Sequence, residues 1–231
     1  MQQDSITVAM VSYRKPIMRE ETIKALYRNP GREFTFLEHN NDKRNIGSSA
    51  LRLLFKKTKT TYFVVVEDDM LWFQDGWLED LVKGMEKGWR LLSTNSMGDG
   101  CNGLSHNYSN LEQVEIDGVW YVFTTPGGGP FIFRTSDGNF FPKKTKRPNQ
   151  ALYTLITAYK GLPMGKIRDT YMYHAAGPYW GQLYPEVFEK KGDKLKDAIK
   201  LSKLNFDNKE PMDALLSGNF EQYAKDLYNR K

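Results

Sequence analysis

The stretch "TYFVVVEDDMLWF" (61–73) joins the most apolar segment of the chain to three consecutive acids. Residues 62–66 form a short run of aromatic and β-branched residues, which predicts a buried β-strand. Glu67, Asp68 and Asp69 follow directly. Adjacent carboxylates repel one another and burying an unpaired charge is costly, so these acids need a partner or water at the end of the strand.

Two further strand–helix pairs precede this strand. Apolar runs predict strands over 6–13 and 33–42, and helical spacing of apolar residues predicts helices over 19–29 and 45–59. The order β-α-β-α-β is typical of a parallel sheet with crossover helices. Ligands of such sheets bind beyond the carboxyl ends of the strands, where the segments "SYRKP", "EHNND" and "EDDM" fall. We therefore expect three polar strand tips at one edge of the sheet.

The second half of the chain mixes helical and hairpin signals. Its predicted elements are helices over 77–88 and 149–161, a strand over 89–96, hairpin turns at Asp117-Gly118 and Asp137-Gly138, and a short strand ending at His174. The remainder has a helical pattern. The predicted fold class is α/β: a central, mostly parallel sheet with flanking helices, a small antiparallel hairpin region and a helical C-terminal tail, in a single domain.

Composition narrows the class of protein. The chain has 231 residues, a net charge of +5 at pH 7 and a single cysteine, Cys101, which excludes an internal disulfide framework. No apolar run approaches the ~18 residues of a membrane-spanning helix, and the first residues lack a signal-peptide pattern. We therefore expect a soluble, cytoplasmic protein. Its positive charge is compatible with a polyanionic partner or a phosphate-bearing ligand.

The three acids at 67–69 suit a divalent cation. Clustered carboxylate oxygens hold Mg²⁺ or Mn²⁺, which are usually shared with the phosphates of a ligand, and the cation would also remove the repulsion between the acids. The alternative is that they are solvated loop residues, one of them capping the following helix.

The order of several short motifs resembles that of the GT-A glycosyltransferases, especially the inverting family 2. The first strand ends in Ser12-Tyr13-Arg14, the second in Glu38-His39-Asn40-Asn41-Asp42, and Asn45-Ile46-Gly47, Arg52 and Glu67-Asp68-Asp69 follow at the family's spacing. The segment "GNFFP" (138–142), Gln150, Gly161 and His174 continue the pattern, so the similarity covers residues 6–177. The resemblance implies a nucleotide-sugar-binding half (1–95), an acceptor half (96–180) and a helical extension (181–231).

The resemblance also implies roles for individual residues. Tyr13 would stack on the nucleobase and Glu38 would accept its hydrogen bonds, whereas the alternative for both is ordinary packing or solvation at a strand tip. Asp68 would lie near the ribose, and Arg52 near the phosphates unless it is a plain surface arginine. The other residues expected at the nucleotide are Ser12, Arg14, Asn45 and Gly47. Glu67, Asp69 and His174 would hold Mn²⁺ or Mg²⁺.

One departure from the family concerns the catalytic base. Gln150 stands where the family has the aspartate that deprotonates the acceptor, and an amide cannot act as a general base. The candidates for this role are, in order of preference, Asp137, Asp99 and Asp169. Alternatively, the enzyme is retaining, or the domain has lost activity.

The acceptor and two rival functions remain open. The basic loop 143–147, with Lys143, Lys144, Lys146 and Arg147, favours DNA with hydroxymethylated bases as acceptor; polysaccharide, lipid and protein are the alternatives. A non-enzymatic nucleic-acid-binding module would use the same loop with aromatic platforms. A sugar-1-phosphate nucleotidyltransferase is disfavoured, because "SYRKP" lacks its glycine-rich loop. The loop "TTPGGGP" (124–130) either approaches the sugar or acceptor closely or is a flexible connection.

Overall fold

A computed structural model describes residues 5–13, 16–41, 46, 49–97, 108–127, 130–140 and 148–174. It also describes four single residues nearer the C-terminus, Ser217, Asn219, Gln222 and Asp226. The expected helical tail, the basic loop 143–147 and Asp99 lie outside these ranges, apart from the helical Gln222 and Asp226.

The described elements alternate strand and helix in the first half of the chain and are mainly strands in the second. The strands are β1 (Ile6–Ser12), β2 (Thr35–Asn40), β3 (Tyr62–Glu67), β4 (Met70–Trp72), β5 (Leu91–Met97), β6 (Gln113–Ile116), β7 (Val119–Phe123), β8 (Phe131–Arg134) and β9 (Met164–His174). The helices are α1 (Pro16–Tyr27), α2 (Ser49–Lys57), α3 (Trp77–Glu86) and α4 (Pro148–Ala158), with a 3₁₀ helix over Thr135–Phe140.

The strands form one mixed sheet in the order β2-β1-β3-β8-β5-β9-β7-β6, and β4 pairs with β9. β1 pairs in parallel with both β2 and β3, as the alternating strands and helices of the sequence predict. β8 is antiparallel to both β3 and β5, so these two strands point in the same direction. The predicted α/β class, with helices flanking a central sheet, is confirmed.

Apolar side chains hold α2 and α4 against the sheet. Leu51 and Leu54 of α2 and Leu155 of α4 are buried in one cluster with Phe63 and Phe133 from adjacent strands. The rings of Phe63 and Phe133 make an edge-on contact with centroids 5.6 Å apart. Each side chain of this size contributes roughly 1.5–3 kcal/mol when buried, so the cluster fixes the position of the strands whose ends form the site.

The chain divides into two compact units. The first comprises residues 1–95 and 107–172 and contains most of the described sheet. The second comprises residues 96–106 and 173–231, of which the structure describes only 96–97, 173–174 and the four single residues. The expected single domain stays a prediction.

One of the two predicted hairpin turns differs from the structure. Asp117-Gly118 does form the predicted hairpin turn between β6 and β7, with positive φ at both residues. Asp137-Gly138 instead lies within the 3₁₀ helix, so the hairpin prediction there is wrong. A Cβ at Gly138 would overlap the ring of Phe55, so close packing against α2 accounts for this glycine. The short strand β4 was not predicted.

Candidate active site

The carboxyl ends of β1, β2 and β3 meet at one edge of the sheet, as expected from their parallel order. Val11 pairs with His39 on one side and with Glu67 on the other, so these three positions lie level across the sheet. Ser12 and Tyr13 follow Val11 at this edge, and Glu38 lies one residue before His39. The structure thus brings together the predicted nucleotide-binding residues of β1 and β2 and the acids at the end of β3.

The acids are buried more deeply than solvated loop residues would be. Asp68 and Asp69, in the turn between β3 and β4, are each 5% exposed, and Glu67 is half-buried. Carboxylates at such positions need hydrogen bonds or a counter-charge, because transfer of an unpaired charge from water is unfavourable. This burial argues against the alternative that all three acids are simply solvated.

Asp68 joins the acidic turn to the end of β1. Its Oδ2 atom accepts a hydrogen bond from the backbone N–H of Tyr13 at 2.9 Å. Hydrogen bonds that involve a charged group are stronger than neutral ones. The position of Tyr13, the expected platform for a nucleobase, is therefore tied directly to the acids.

Glu67 and Asp69 each offer an oxygen, and His174, the last residue of β9, offers an imidazole nitrogen, with these atoms within 4.8 Å of one another. Two ligands of one Mg²⁺ ion lie at most about 4.2 Å apart, twice the metal–ligand distance. Small side-chain adjustments therefore suffice for the three atoms to share an ion. Mixed carboxylate and imidazole ligands fit Mn²⁺ as well as Mg²⁺.

Glu38 carries a contact that the sequence did not predict. Arg19, one turn into α1, donates from Nε to Oε1 at 2.5 Å and from Nη2 to Oε2 at 2.6 Å. The hydroxyl of Ser12 donates to Oε1 at 2.6 Å. Both carboxylate oxygens of Glu38 thus accept hydrogen bonds from protein side chains. The only signal in the sequence is that an arginine opens the segment "REETIKALY" (19–27) after the first strand.

Of the other expected nucleotide ligands, the structure describes Arg52, which lies half-buried in the first turn of α2. Arg14, Asn45 and Gly47 lie outside the described residues. Asn41 was not predicted as a site residue. It is 2% exposed, its backbone N–H donates to the Ser12 carbonyl at 2.9 Å, and its Oδ1 accepts from the Ile46 N–H at 3.3 Å. Asn41 therefore connects the end of β1 to the segment that leads into α2.

Asp137, the first candidate for the catalytic base, lies at the opposite edge of the sheet. Arg134, at the end of β8, pairs with Tyr62 at the start of β3, and Asp137 follows three residues later. The strand from Tyr62 to Glu67 spans about 16 Å. Asp137 also accepts a hydrogen bond from the Tyr159 hydroxyl at 3.0 Å, so a structural role accounts for it.

Asp169, the third candidate base, is not brought to the acids either. Asp169 is exposed on β9, where its carboxylate pairs with Arg168 at 2.8 Å. It precedes His174 by five strand residues, or about 16 Å. Asp99 lies outside the described residues. Gln150 lies in the first turn of α4.

The segment "STNS" (93–96) of β5 provides polar groups that the sequence analysis missed. Ser93, Thr94, Asn95 and Ser96 are all buried. Ser93 and Val65 both pair with Phe131 of the intervening strand β8, so they lie level across the sheet. Because β3 and β5 run in the same direction, Asn95 is level with Glu67 at the same edge of the sheet. Asn95 donates from Nδ2 to the Arg168 carbonyl at 3.1 Å. Four consecutive polar residues at the end of the strand predicted over 89–96 are the signal that could have identified them.

Solved structures with a similar fold include glycosyltransferases. TarS (residues 1–349) from S. aureus in complex with UDP superposes with a TM-score of 0.55 at 14% identity, over 75% of this chain and 61% of that chain. The mannosyltransferase PcManGT from Pyrobaculum calidifontis, in complex with GDP-Man and Mn²⁺, superposes with a TM-score of 0.50 at 11% identity, over 78% of this chain and 60% of that chain. This chain thus spans about 60% of the length of these two structures.

These similarities define the class of fold. The chain has a GT-A-like glycosyltransferase fold, as the motif order implied. No protein-family model and no curated protein sequence matches it. Among the described residues, no helix has both the length and the apolar composition needed to cross a membrane.

Proposed function

We propose that the chain is a glycosyltransferase that transfers a sugar from a UDP-sugar to a hydroxyl group with the help of Mn²⁺ or Mg²⁺. The observation that carries the proposal is the edge formed by β1, β2 and β3. There the group Glu67, Asp69 and His174 lies two strands away from the carboxylate of Glu38. The fold shared with a mannosyltransferase supports the same conclusion.

Glu67, Asp69 and His174 are the proposed metal ligands. A divalent cation held there would supply Lewis-acid stabilisation of the negative charge that develops on the leaving nucleoside diphosphate. The protein would contribute two carboxylates that balance the charge of the ion and a buried acidic turn that keeps them in place. Asp68 is left out of the ligand set, because its carboxylate holds the Tyr13 backbone.

The donor nucleotide is proposed to lie across the end of β1. Adjacent strands are separated by about 4.8 Å, so Glu38 on β2 and the acids on β3 stand about 10 Å apart. A nucleoside diphosphate bridges such a gap with its base at one end and its phosphates at the other. Tyr13 would stack on the base and Asp68 would lie near the ribose.

Arg52 is proposed to approach the phosphates from the first turn of α2. Its guanidinium matches the geometry of phosphate oxygens. The other proposed contacts of the nucleotide are Ser12, Arg14, Asn45 and Gly47.

The base that activates the acceptor hydroxyl is the open part of the mechanism. Asp137 and Asp169 lie far along the sheet from the acids, whereas a general base must come within hydrogen-bond reach of the proton it removes. Asp99 is the candidate that we retain. It follows the buried polar segment 93–96, which ends at the same edge as the acids.

For the acceptor, we retain DNA with hydroxymethylated bases as the proposal. Its support is the net charge of +5 and the basic loop 143–147. Binding through such a loop would be electrostatic, so the affinity for duplex DNA would fall steeply with added salt. Absence of duplex binding at low salt would exclude this acceptor and favour a polysaccharide, lipid or protein.

The proposed function is tested by donor turnover. The chain is incubated with a panel of UDP-sugars and Mn²⁺, and the UDP that is released when the sugar is transferred to water or to an added acceptor hydroxyl is measured. We expect release from at least one UDP-sugar, its loss in Asp69→Asn, and its retention in Glu112→Gln. The control removes an equal charge from an exposed residue before β6. Release that persists unchanged in Asp69→Asn would refute the role of the acids.

A further inference from the structure

A cavity of about 640 Å³ lies between the end of α1 and the start of β2. It is lined by Tyr27, the last residue of α1, and by residues 29–34. Its volume is within the range of roughly 300–1,000 Å³ that is typical of small-molecule sites. The cavity is separate from the acids, because β2 begins beside it at Thr35, whereas Glu67 is level with His39, about 13 Å further along that strand.

Two aromatic rings supply the apolar surface of the cavity. The rings of Tyr27 and Phe34 are stacked, with centroids 5.0 Å apart and an angle of 26° between their planes. Phe36 packs edge-on against Tyr27. Tyr27 nevertheless remains 55% exposed. A single exposed tyrosine is common on protein surfaces, but this one lines a cavity and its ring is held in place by two neighbouring rings.

The opposite wall of the cavity is fixed by α3. The carbonyl of Pro30 accepts hydrogen bonds from the N–H groups of Leu78 and Glu79 in the first turn of α3, each at 3.1 Å. Gly31 has a positive φ of 81°, and a Cβ at this position would lie 2.7 Å from the Cβ of Glu79. The loop is therefore packed closely against the helix. A cavity with such walls is formed before a ligand arrives, which lowers the cost of ordering it on binding.

The charges around the cavity favour a neutral ligand. Arg32, the basic lining residue, donates to Glu79 and lies 3.4 Å from Glu86. Glu33 is exposed at the rim. A phosphate would meet three carboxylates and an arginine that is already paired, so a polyanion is disfavoured. An organic cation over the exposed ring of Tyr27 would gain only about 0.5–1 kcal/mol.

A sugar ring combines the two properties that this cavity selects. One face of a pyranose carries C–H groups, which pack against the electron-rich face of an aromatic ring. Its edge carries hydroxyl groups, which donate hydrogen bonds to carboxylates. Tyr27 and Glu33 offer one partner of each kind in the same cavity.

We propose that the cavity between α1 and β2 is a binding site for a neutral oligosaccharide, with Tyr27 as the stacking platform and Glu33 as a hydrogen-bond acceptor. The site binds carbohydrate without changing it chemically, because it lies away from the acids. The inference goes beyond the proposed function and does not depend on it.

The test is a titration of the chain with three neutral trisaccharides, cellotriose, maltotriose and triacetylchitotriose, followed by saturation-transfer NMR. We expect wild type to bind at least one of them with a dissociation constant on the order of 1 mM. Tyr27→Ala should weaken this binding roughly 10-fold, because the stacking surface is lost. Tyr27→Phe keeps the ring and should retain most of the affinity. Glu33→Ala should weaken binding as well, since a hydrogen-bond acceptor is removed.

Tyr153→Ala is the matched control. Tyr153 is 63% exposed on α4 and does not line the cavity, so its removal should leave trisaccharide binding unchanged. Urea unfolding of each variant shows whether the fold is intact. If Tyr27→Ala does not fold, Glu33→Ala decides the question, because Glu33 is exposed.

Three results would overturn the proposal. The first is no binding of any of the three trisaccharides at about 20 mM, well above the expected dissociation constant. The second is binding that persists unchanged in Tyr27→Ala and Glu33→Ala, or that falls equally in Tyr153→Ala. The third is binding of spermidine, an organic cation, in place of the trisaccharides.

The proposed function fails by a different measurement. Affinity for UDP in the presence of Mn²⁺ should be the same in Tyr27→Ala as in wild type, because the cavity lies away from the acids. Wild type that binds a trisaccharide in this cavity but does not bind UDP would refute the proposed donor site and leave the oligosaccharide site standing. Wild type that binds UDP but no trisaccharide would do the reverse.

Discussion

The carboxylate of Asp68 accepts a hydrogen bond from the backbone N–H of Tyr13 at 2.9 Å, across 55 residues of sequence. This contact joins the turn that carries the acids to the segment that follows β1. We expect Asp68→Ala to lose roughly 1–3 kcal/mol of unfolding free energy, because the part-buried N–H of Tyr13 is left without this acceptor. Affinity for UDP should fall in the same variant, because Tyr13 is no longer held.

Asp68→Asn is the matched comparison, because the amide oxygen can still accept from Tyr13. Urea unfolding and UDP calorimetry measure the two effects. Equal losses in Asp68→Ala and Asp68→Asn would show that the charge, and not the hydrogen bond to Tyr13, matters.

Asp137 is expected to be dispensable for donor binding and transfer. It lies beyond the end of β8, beside the start of β3, where Tyr159 donates to it. Asp137→Asn keeps an acceptor for that hydroxyl, so UDP release should remain at the level of wild type. A drop of about 10²–10⁴-fold, the usual effect of removing a general base, would instead make Asp137 catalytic and contradict this placement.

The buried tyrosines predict a loss of stability at alkaline pH. Burial is the main cause that raises the pKa of Tyr108, Tyr121 and Tyr159. Unfolded tyrosine ionises near pH 10, whereas the folded side chains stay protonated, so the free energy of unfolding is unaffected below pH 10 and falls above it. The fall should approach about 1.4 kcal/mol per pH unit for each tyrosine.

Tyr159→Phe isolates one of these contributions. The free energy of unfolding, measured with urea at several pH values between 9 and 11.5, should decline less steeply with pH in the variant than in wild type. The difference in slope corresponds to the contribution of one tyrosine. Identical declines in the two proteins would show that Tyr159 is not protected from ionisation in the folded state.

Two glycines give a paired test of packing in the sheet. A Cβ at Gly165, in β9, would overlap the carbonyl oxygen of Val122 and meet the ring of Trp89, whereas a Cβ at Gly127 would meet nothing within 4 Å. Gly165→Ala should therefore destabilise the protein by about 1–3 kcal/mol or more. Gly127→Ala should be neutral or slightly stabilising. Similar unfolding midpoints for both variants would contradict the register of β7 and β9.

The parallel part of the fold could be predicted from the sequence because its signals are local. The first three strands are apolar runs with polar tips, and the helices between them have helical spacing, so their order and type were right and their ends fell within a few residues of the observed ones. The metal group was predicted from motif order. The structure brings ligand atoms of Glu67, Asp69 and His174 within 4.8 Å of one another, and the metal itself stays a prediction.

Features that depend on long-range pairing could not be predicted. The fork between Arg19 and Glu38 requires the position of α1 relative to β2, which no local pattern contains. Asp137 ranked first among the candidate bases predicted from the sequence. The antiparallel direction of β8 is what shows that Asp137 falls at the edge of the sheet opposite to the acids.

Binding of the donor is proposed to depend on a metal ion that the acids at the end of β3 hold. This proposal is tested most directly by measuring UDP affinity with Mn²⁺ and with a chelator, in wild type, Asp69→Asn and Glu112→Gln. We predict that wild type and Glu112→Gln bind UDP at least ~10-fold more tightly with Mn²⁺, as expected when a metal ligand is intact, and that Asp69→Asn loses this dependence. Absence of UDP binding in wild type, or equal binding without metal and in Asp69→Asn, would contradict the account.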